Sequence, residues 1–150
     1  MPDYQIVSLP SFTVAGLSVR TSNSRPDQIG QLWQEFYGRD ITSQIASKKS
    51  ENIYSVYIDY ESDYTGPYTL LIGCEIDPRD TIPAGLVSKQ VPGARFAVFE
   101  ANGKQPDALI ATWQKIYTTR IERTYSGDFD LYEMQAGASG PSVSVYVAVK

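Results

Sequence analysis

Apolar positions along this chain follow two rhythms, and the same succession of rhythms is written twice. Ile29, Leu32, Trp33 and Phe36 fall at i, i+3, i+4 and i+7, the stripe of an amphipathic helix. Leu109, Trp113, Ile116 and Tyr117 repeat such a stripe later in the chain. Around them lie runs with the alternation and the β-branched or aromatic content of strands, at residues 4–9, 12–19, 52–59, 68–76, 87–90, 94–101, 129–134 and 143–149. Breakers fall between the runs. Pro10 and Ser11 part the first two strands, Pro26 and Asp27 open the first helix, and Gly38 ends it. Residues 41–46 add a further helical turn or two, and the polar loop 61–66 joins a hairpin. Pro78, Pro83 and Gly85 mark 77–85 as a linker, and Asn102 and Gly103 close the strand before it meets Pro106 and Asp107. That pair opens the second helix, predicted to end near Arg123, and the small-residue loop 136–141 joins the last hairpin.

The repetition extends to particular residues. Trp33–Gln34 in the first helix matches Trp113–Gln114 in the second, and Tyr54–Ser55–Val56–Tyr57 matches Phe129–Asp130–Leu131–Tyr132. Each of the latter phrases is followed by a Gly–Pro pair, Gly66–Pro67 and Gly140–Pro141, and the landmarks recur at a period of roughly 75–80 residues. The chain thus reads as one α+β domain over 1–150, a duplicated strand–strand–helix–strand–strand unit with pseudo-repeats near 1–77 and 86–150. Joined by strand pairing, two such units predict an antiparallel sheet of about eight strands with two main helices on one face. A cleft is expected where the halves meet, and clefts are where ligands go.

Composition narrows the chemistry. With 42% hydrophobic and 20% charged residues the chain reads as globular. No apolar run approaches a bilayer span and the start of the chain lacks a signal-peptide pattern, so no membrane association is expected. One cysteine, Cys74, allows no internal disulfide, which suits the cytoplasm. The absence of histidine removes Ser–His and Cys–His pairs and the commonest metal ligand, so neither a metal nor a cofactor is called for. A net charge of −4 without a basic cluster argues against direct nucleic-acid binding. Eleven tyrosines stand against these absences, and a tyrosine serves a core and a ligand pocket equally well.

Where the copies agree, the residues read as scaffold; where one departs, function becomes a candidate. Trp33 and Trp113 agree, sit on apolar stripes and read first as core packing. Asp130 stands where the first copy has Ser55, a carboxylate in mid-strand beside tyrosines. Strand alternation points Phe129 and Leu131 one way, toward the helices, and Asp130 and Tyr132 the other. A solvated outer face is one reading of Asp130; the other is an acid that neutralises a cationic ligand among aromatic rings. Glu75 ends an apolar run against Val149 of the other copy, as either a solvated strand end or a second acid of the site. Tyr57, Tyr60, Tyr64 and Tyr68 crowd one hairpin. Tyr57 and Tyr68 are the pocket candidates, and Tyr60 and Tyr64 read as loop cover.

The phrases Trp33–Gln–Glu–Phe, Tyr54–Ser–Val–Tyr–Ile–Asp–Tyr–Glu–Ser–Asp, Gly66–Pro–Tyr–Thr–Leu–Leu–Ile–Gly–Cys–Glu75 and Asp128–Phe–Asp–Leu–Tyr132 resemble the gyrase-inhibitor-like (GyrI-like) effector-binding domains. These occur alone or fused to helix-turn-helix modules in AraC- and MerR-type regulators, and their fold is the duplicated unit (two SHS2-like halves) inferred above. The resemblance implies an acidic residue in an aromatic cleft that takes cationic, lipophilic molecules. That position is Asp130 here, a departure from the family's glutamate that keeps the charge and shortens the reach. Trp113 and Tyr117 match positions whose aromatics line the cleft. The expected ligand contacts are therefore Asp130, Glu75, Tyr57, Tyr68, Trp113, Tyr117 and Trp33. Some standalone members are hydrolases of cyclopropane-bearing toxins, which leaves open an enzyme using Asp130 or Glu75.

Binding of an amphipathic cation is the first reading, hydrolysis of an electrophilic toxin the second, and a protein-inhibitor role such as gyrase modulation the third. The two units fill the sequence, so DNA contact is expected only through a partner protein. Whether two copies pair through an exposed strand edge stays open.

Overall fold

The computed structural model describes residues 4–46, 48–101, 104, 107–133 and 142–150. Eight strands and three helices follow in the order β1 (Gln5–Leu9), β2 (Phe12–Thr21), α1 (Pro26–Gly38), α2 (Ile41–Gln44), β3 (Ile53–Ile58), β4 (Tyr68–Ile76), β5 (Val87–Val91), β6 (Ala94–Glu100), α3 (Asp107–Thr118), β7 (Asp128–Glu133) and β8 (Ser142–Val149). All eight strands form one antiparallel sheet in the order β1-β6-β8-β7-β3-β4-β2-β5. The fold is the duplicated α+β unit that the sequence pattern predicts. The expected loop 136–141, Met134, the Asn102–Gly103 break and Pro106 lie outside the described residues. Among the described residues no helix is long and apolar enough to cross a membrane.

The pairing has a feature that the linear pattern hides. The first strand of each unit crosses to the other unit: β1 pairs with β6, and β5 pairs with β2. At the centre, β3 and β7 join the halves, with Ser55 directly opposite Asp130. These two aligned positions of the duplication therefore sit on its pseudo-twofold axis. Across the face that carries the helices runs one row of partners, Leu17–Ile72–Ser55–Asp130–Val145–Phe99, apolar at both ends and polar only in the middle. Elsewhere β2 and β4 approach closely at the facing pair Gly16 and Gly73, where a Cβ on either would collide with the opposite backbone.

Helix α1 begins with Pro26 at its first turn and Asp27 beside it, which suits the unpaired N–H groups and dipole there. It buries Leu32 and Phe36 against a core of Leu17, Leu70 and Ile72, with Ile41 of α2 filling the same layer. The left-handed turn into α2 falls on Asp40, at φ 49°, a residue type that tolerates it. Helix α3 buries Ile116 against Ala97, Phe99, Val145 and Val147. It stops at Thr118 rather than near Arg123, because the Thr118 and Thr119 hydroxyls both donate to the Lys115 carbonyl and end the ladder. Arg123 instead bridges to Val149 in extended form.

One expectation is reversed. Alternation along β7 holds, yet Phe129 and Leu131 point away from the helices, into a second apolar layer with Phe12, Tyr54, Phe96 and Tyr146. Asp130 and Tyr132 take the helix side. Both faces of the sheet are apolar, so periodicity alone left the side of each residue undecided.

A cleft walled by tyrosines

The helix side of β7 carries Asp128, Asp130 and Tyr132, whereas the matching positions of β3 carry Ile53, Ser55 and Tyr57. The two tyrosines cross over the axis symmetrically. Tyr57 meets Trp113 edge-on at 5.3 Å, and Tyr132 meets Trp33 edge-on at 5.4 Å. Each tryptophan in turn packs on the tyrosine one helical turn later, Tyr117 or Tyr37. What breaks the symmetry is the pair of carboxylates in the second half.

Both carboxylates are fully buried. Asp130 accepts the Tyr57 hydroxyl at 2.6 Å on one oxygen and the Trp113 indole N–H at 3.0 Å on the other. Burial pushes its carboxyl up to about 7, against the pull of those two donors, and nearby Asp128 adds to the rise. The Tyr57 hydroxyl is driven well above its ordinary range by burial and by the Asp130 charge, so it remains a donor at neutral pH. Asp128 accepts the Ala148 N–H on one oxygen, and the Tyr60 hydroxyl and Arg123 Nη2, each at 2.7 Å, on the other.

In front of these groups lies a cleft of about 340 Å³, within the range of small-molecule sites. Tyr57, Tyr60, Tyr64, Tyr68, Asn23 and Ile29 wall it from the first half, and Leu109, Ile110, Trp113, Gln114, Tyr117 and Arg123 from the second. It sits between the halves. Asn23 braces the mouth, accepting the Tyr68 hydroxyl at 2.6 Å and donating to the Tyr117 hydroxyl and the Tyr64 carbonyl. Tyr64 stacks on Tyr117 with ring centres 4.4 Å apart.

Of the expected contacts, Tyr57, Tyr68, Trp113 and Tyr117 wall this cleft. Asp130 lies one layer behind it, screened by Tyr57 and Trp113. Trp33 is away from it, packed on Phe36, Tyr37 and Tyr132. Glu75 is on the opposite face, where it neighbours Lys49 and the Tyr54 hydroxyl in a separate hollow of about 390 Å³. Tyr60 and Tyr64 are wall residues rather than loop cover. Asn23 and Arg123 carry no signal in the linear pattern; the mismatch of Ile53 with Asp128 across the copies is the trace that leads to Arg123, since a buried acid there needs a cation.

The sequence model of one family, Cass2, integron-associated effector binding protein, matches residues 5–149. The chain belongs to this family. Cass2 falls within the GyrI-like superfamily, in agreement with the resemblance drawn from the motifs. This Cass2-family chain is 31% identical over 145 residues to YobU of Bacillus subtilis strain 168, named a transcriptional regulator protein, with 91% of each chain covered. It is 29% identical over 154 aligned positions to the transcriptional regulator BrlR of Pseudomonas aeruginosa, covering 97% of this chain and 54% of BrlR. Among solved structures, an integron cassette protein from the mobile metagenome of Vibrio cholerae superposes with a TM-score of 0.77 at 26% identity, over 99% of this chain and 96% of that one. SAV2435, solved bound to tetraphenylphosphonium, shares the fold with a TM-score of 0.79 at 21% identity, over 99% and 94% of the two chains.

Proposed function

We propose that the chain binds a lipophilic cation in the cleft between its halves, as the effector of a regulatory or sequestering role. The observation that carries this reading is the buried Asp130 held against two wall rings by the Tyr57 hydroxyl and Trp113 N–H. An ionised carboxylate accepting from both rings makes their faces richer in electron density, and such faces attract cations at about 0.5–2 kcal/mol each. A cation one ring away, on the order of 7 Å, gains on the order of 2 kcal/mol more from that charge at an effective dielectric of about 20. Together these supply about 3–6 kcal/mol without direct contact between acid and ligand, and burial of the ligand's apolar surface on the tyrosine wall supplies the rest of the roughly 8 kcal/mol that micromolar binding needs. Binding is favoured over hydrolysis because Asp130 is fully buried behind Tyr57 and Trp113 and does not line the cleft, so neither of its oxygens faces a water there. The tetraphenylphosphonium held by a protein of the same fold supports the choice of ligand class.

The test is a fluorescence titration with tetraphenylphosphonium, and with triphenylphosphine oxide as a neutral analogue. Tryptophan quenching should persist in Trp33→Phe and vanish in Trp113→Phe. Asp130→Asn should weaken the phosphonium about tenfold or more and spare the oxide. Equal losses for both ligands would sink the charge argument.

A further inference from the structure

Arg123 is the single charged side chain among the described residues that wall the cleft, and it is underused. Its side chain is 5% exposed, yet Nη2 alone finds an acceptor, in Asp128. Nε and Nη1 are buried without a partner. Asp128 spends its oxygens on the Ala148 N–H and the Tyr60 hydroxyl as well as on Nη2, and accepts from neither Nε nor Nη1. The rings of Tyr125, at 4.5 Å, and of Tyr64 and Trp113, both at 5.8 Å, lie against the guanidinium. Aromatic contact suits the flat face of a guanidinium, but the in-plane N–H groups still need oxygen acceptors. Orphaned buried donors of this kind are rare in folded proteins.

We propose that Arg123 is a second anchor in the cleft, for an acceptor or anionic oxygen on the ligand, so that the effector is a lipophilic cation with a carbonyl, carboxylate or similar group at its far end. The proposal rests on the cleft being the ligand site. Trp113 separates the two anchors, with its N–H on Asp130 and its ring against Arg123, so they stand about one indole apart. Tyr64 covers the Arg123 end from the polar loop 61–66, held by its stack on Tyr117, whose side is open to solvent. An incoming oxygen reaches Nε and Nη1 by displacing that ring.

The experiment measures affinities of pentyltriphenylphosphonium and (4-carboxybutyl)triphenylphosphonium for the wild type and Arg123→Lys. The lysine keeps the charge beside Asp128 and loses the fork of spare donors. The wild type should prefer the carboxylate probe about tenfold, the effect of one hydrogen bond between charged groups, and Arg123→Lys should lose that preference. Equal wild-type affinities, or a preference that survives in Arg123→Lys, overturn the proposal. If neither phosphonium binds, the cation reading fails, and 1-pyrenebutyrate, which has no cationic group, decides the rest. Binding of it that Arg123→Lys abolishes upholds the anchor; binding that ignores the substitution, or none, overturns it. Should Arg123→Lys fail to fold, Tyr64→Ala uncovers Arg123 with its pair intact. The carboxylate preference must then grow, and an unchanged or smaller one refutes the anchor.

Discussion

Replacing Asp130 by asparagine should change how stability responds to pH. In the folded chain the carboxyl is pushed up to about 7, whereas an unfolded aspartate titrates near 3.9. Between those values the native state holds a proton that the unfolded state has lost, so stability falls as pH rises. The contribution is whole below about pH 4, drains through the window, and is gone above about pH 7. Three units correspond to about 4 kcal/mol in all, of which about 3 kcal/mol is lost between pH 5 and pH 8. Asparagine fills the same space without titrating. Its oxygen can accept the Trp113 N–H while its amide donates to the Tyr57 hydroxyl, which turns from donor to acceptor. Other groups that feel the Asp130 charge, namely Asp128, Tyr57, Tyr68, Tyr117 and Tyr132, are common to both proteins and cancel in the difference. Urea unfolding at pH 5, 6, 7 and 8 should show the variant gaining on the wild type by about 3 kcal/mol across the series. Two curves that stay parallel over that range would refute the picture of a charge held in a dry wall.

The same titration should couple to the ligand. A bound cation favours the ionised acid, so affinity should rise from pH 6 to pH 8 with uptake of the cation releasing up to about one proton; calorimetry in two buffers of unlike ionisation heat reads this, and identical heats count against it. Tyr57→Phe removes the 2.6 Å donor to Asp130 and should destabilise by about 1–3 kcal/mol at pH 8, with a smaller loss at pH 5. Asp128→Ala strands the buried Arg123 and should lose about 3–5 kcal/mol in urea melts. Gly16→Ala forces a Cβ into the Ile72 carbonyl and should destabilise by on the order of 3 kcal/mol, where a change below 0.5 kcal/mol would show that β2 and β4 can part.

Element order was legible because each element has a short local signature: the stripe of α1, the Pro26 start, the aromatic and β-branched content of β3, the apolar run of β4. The duplication added long-range information: the alignment set Ser55 against Asp130, and the fold pairs these two directly on its axis. Three things stayed hidden. The side of the sheet that Phe129 faces depends on which of two apolar layers the helices cover, and a period of two is blind to that. The separation of Glu75 from Asp130 follows from the same ambiguity, as the two acids lie on opposite faces. Arg123 was read as a helix end, because nothing local announces that two threonine hydroxyls stop α3 five residues earlier.

The crossing of β1 and β5 between halves bears on how the chain is made. As the protein leaves the ribosome, its first strand has no partner until residues 94–98 arrive, since Gln5 pairs with Val98 and Leu9 with Ala94. The first half meanwhile exposes the bare edge of β2 until β5 is synthesised. Neither half closes its own sheet: β5 covers β2 once residue 91 is made, whereas β6 and β7 wait for β8 at the end of the chain. A nascent chain stalled in the 77–85 linker would display the bare edges of β2 and β3 together with an unpaired β1, a natural substrate for chaperones that hold extended segments.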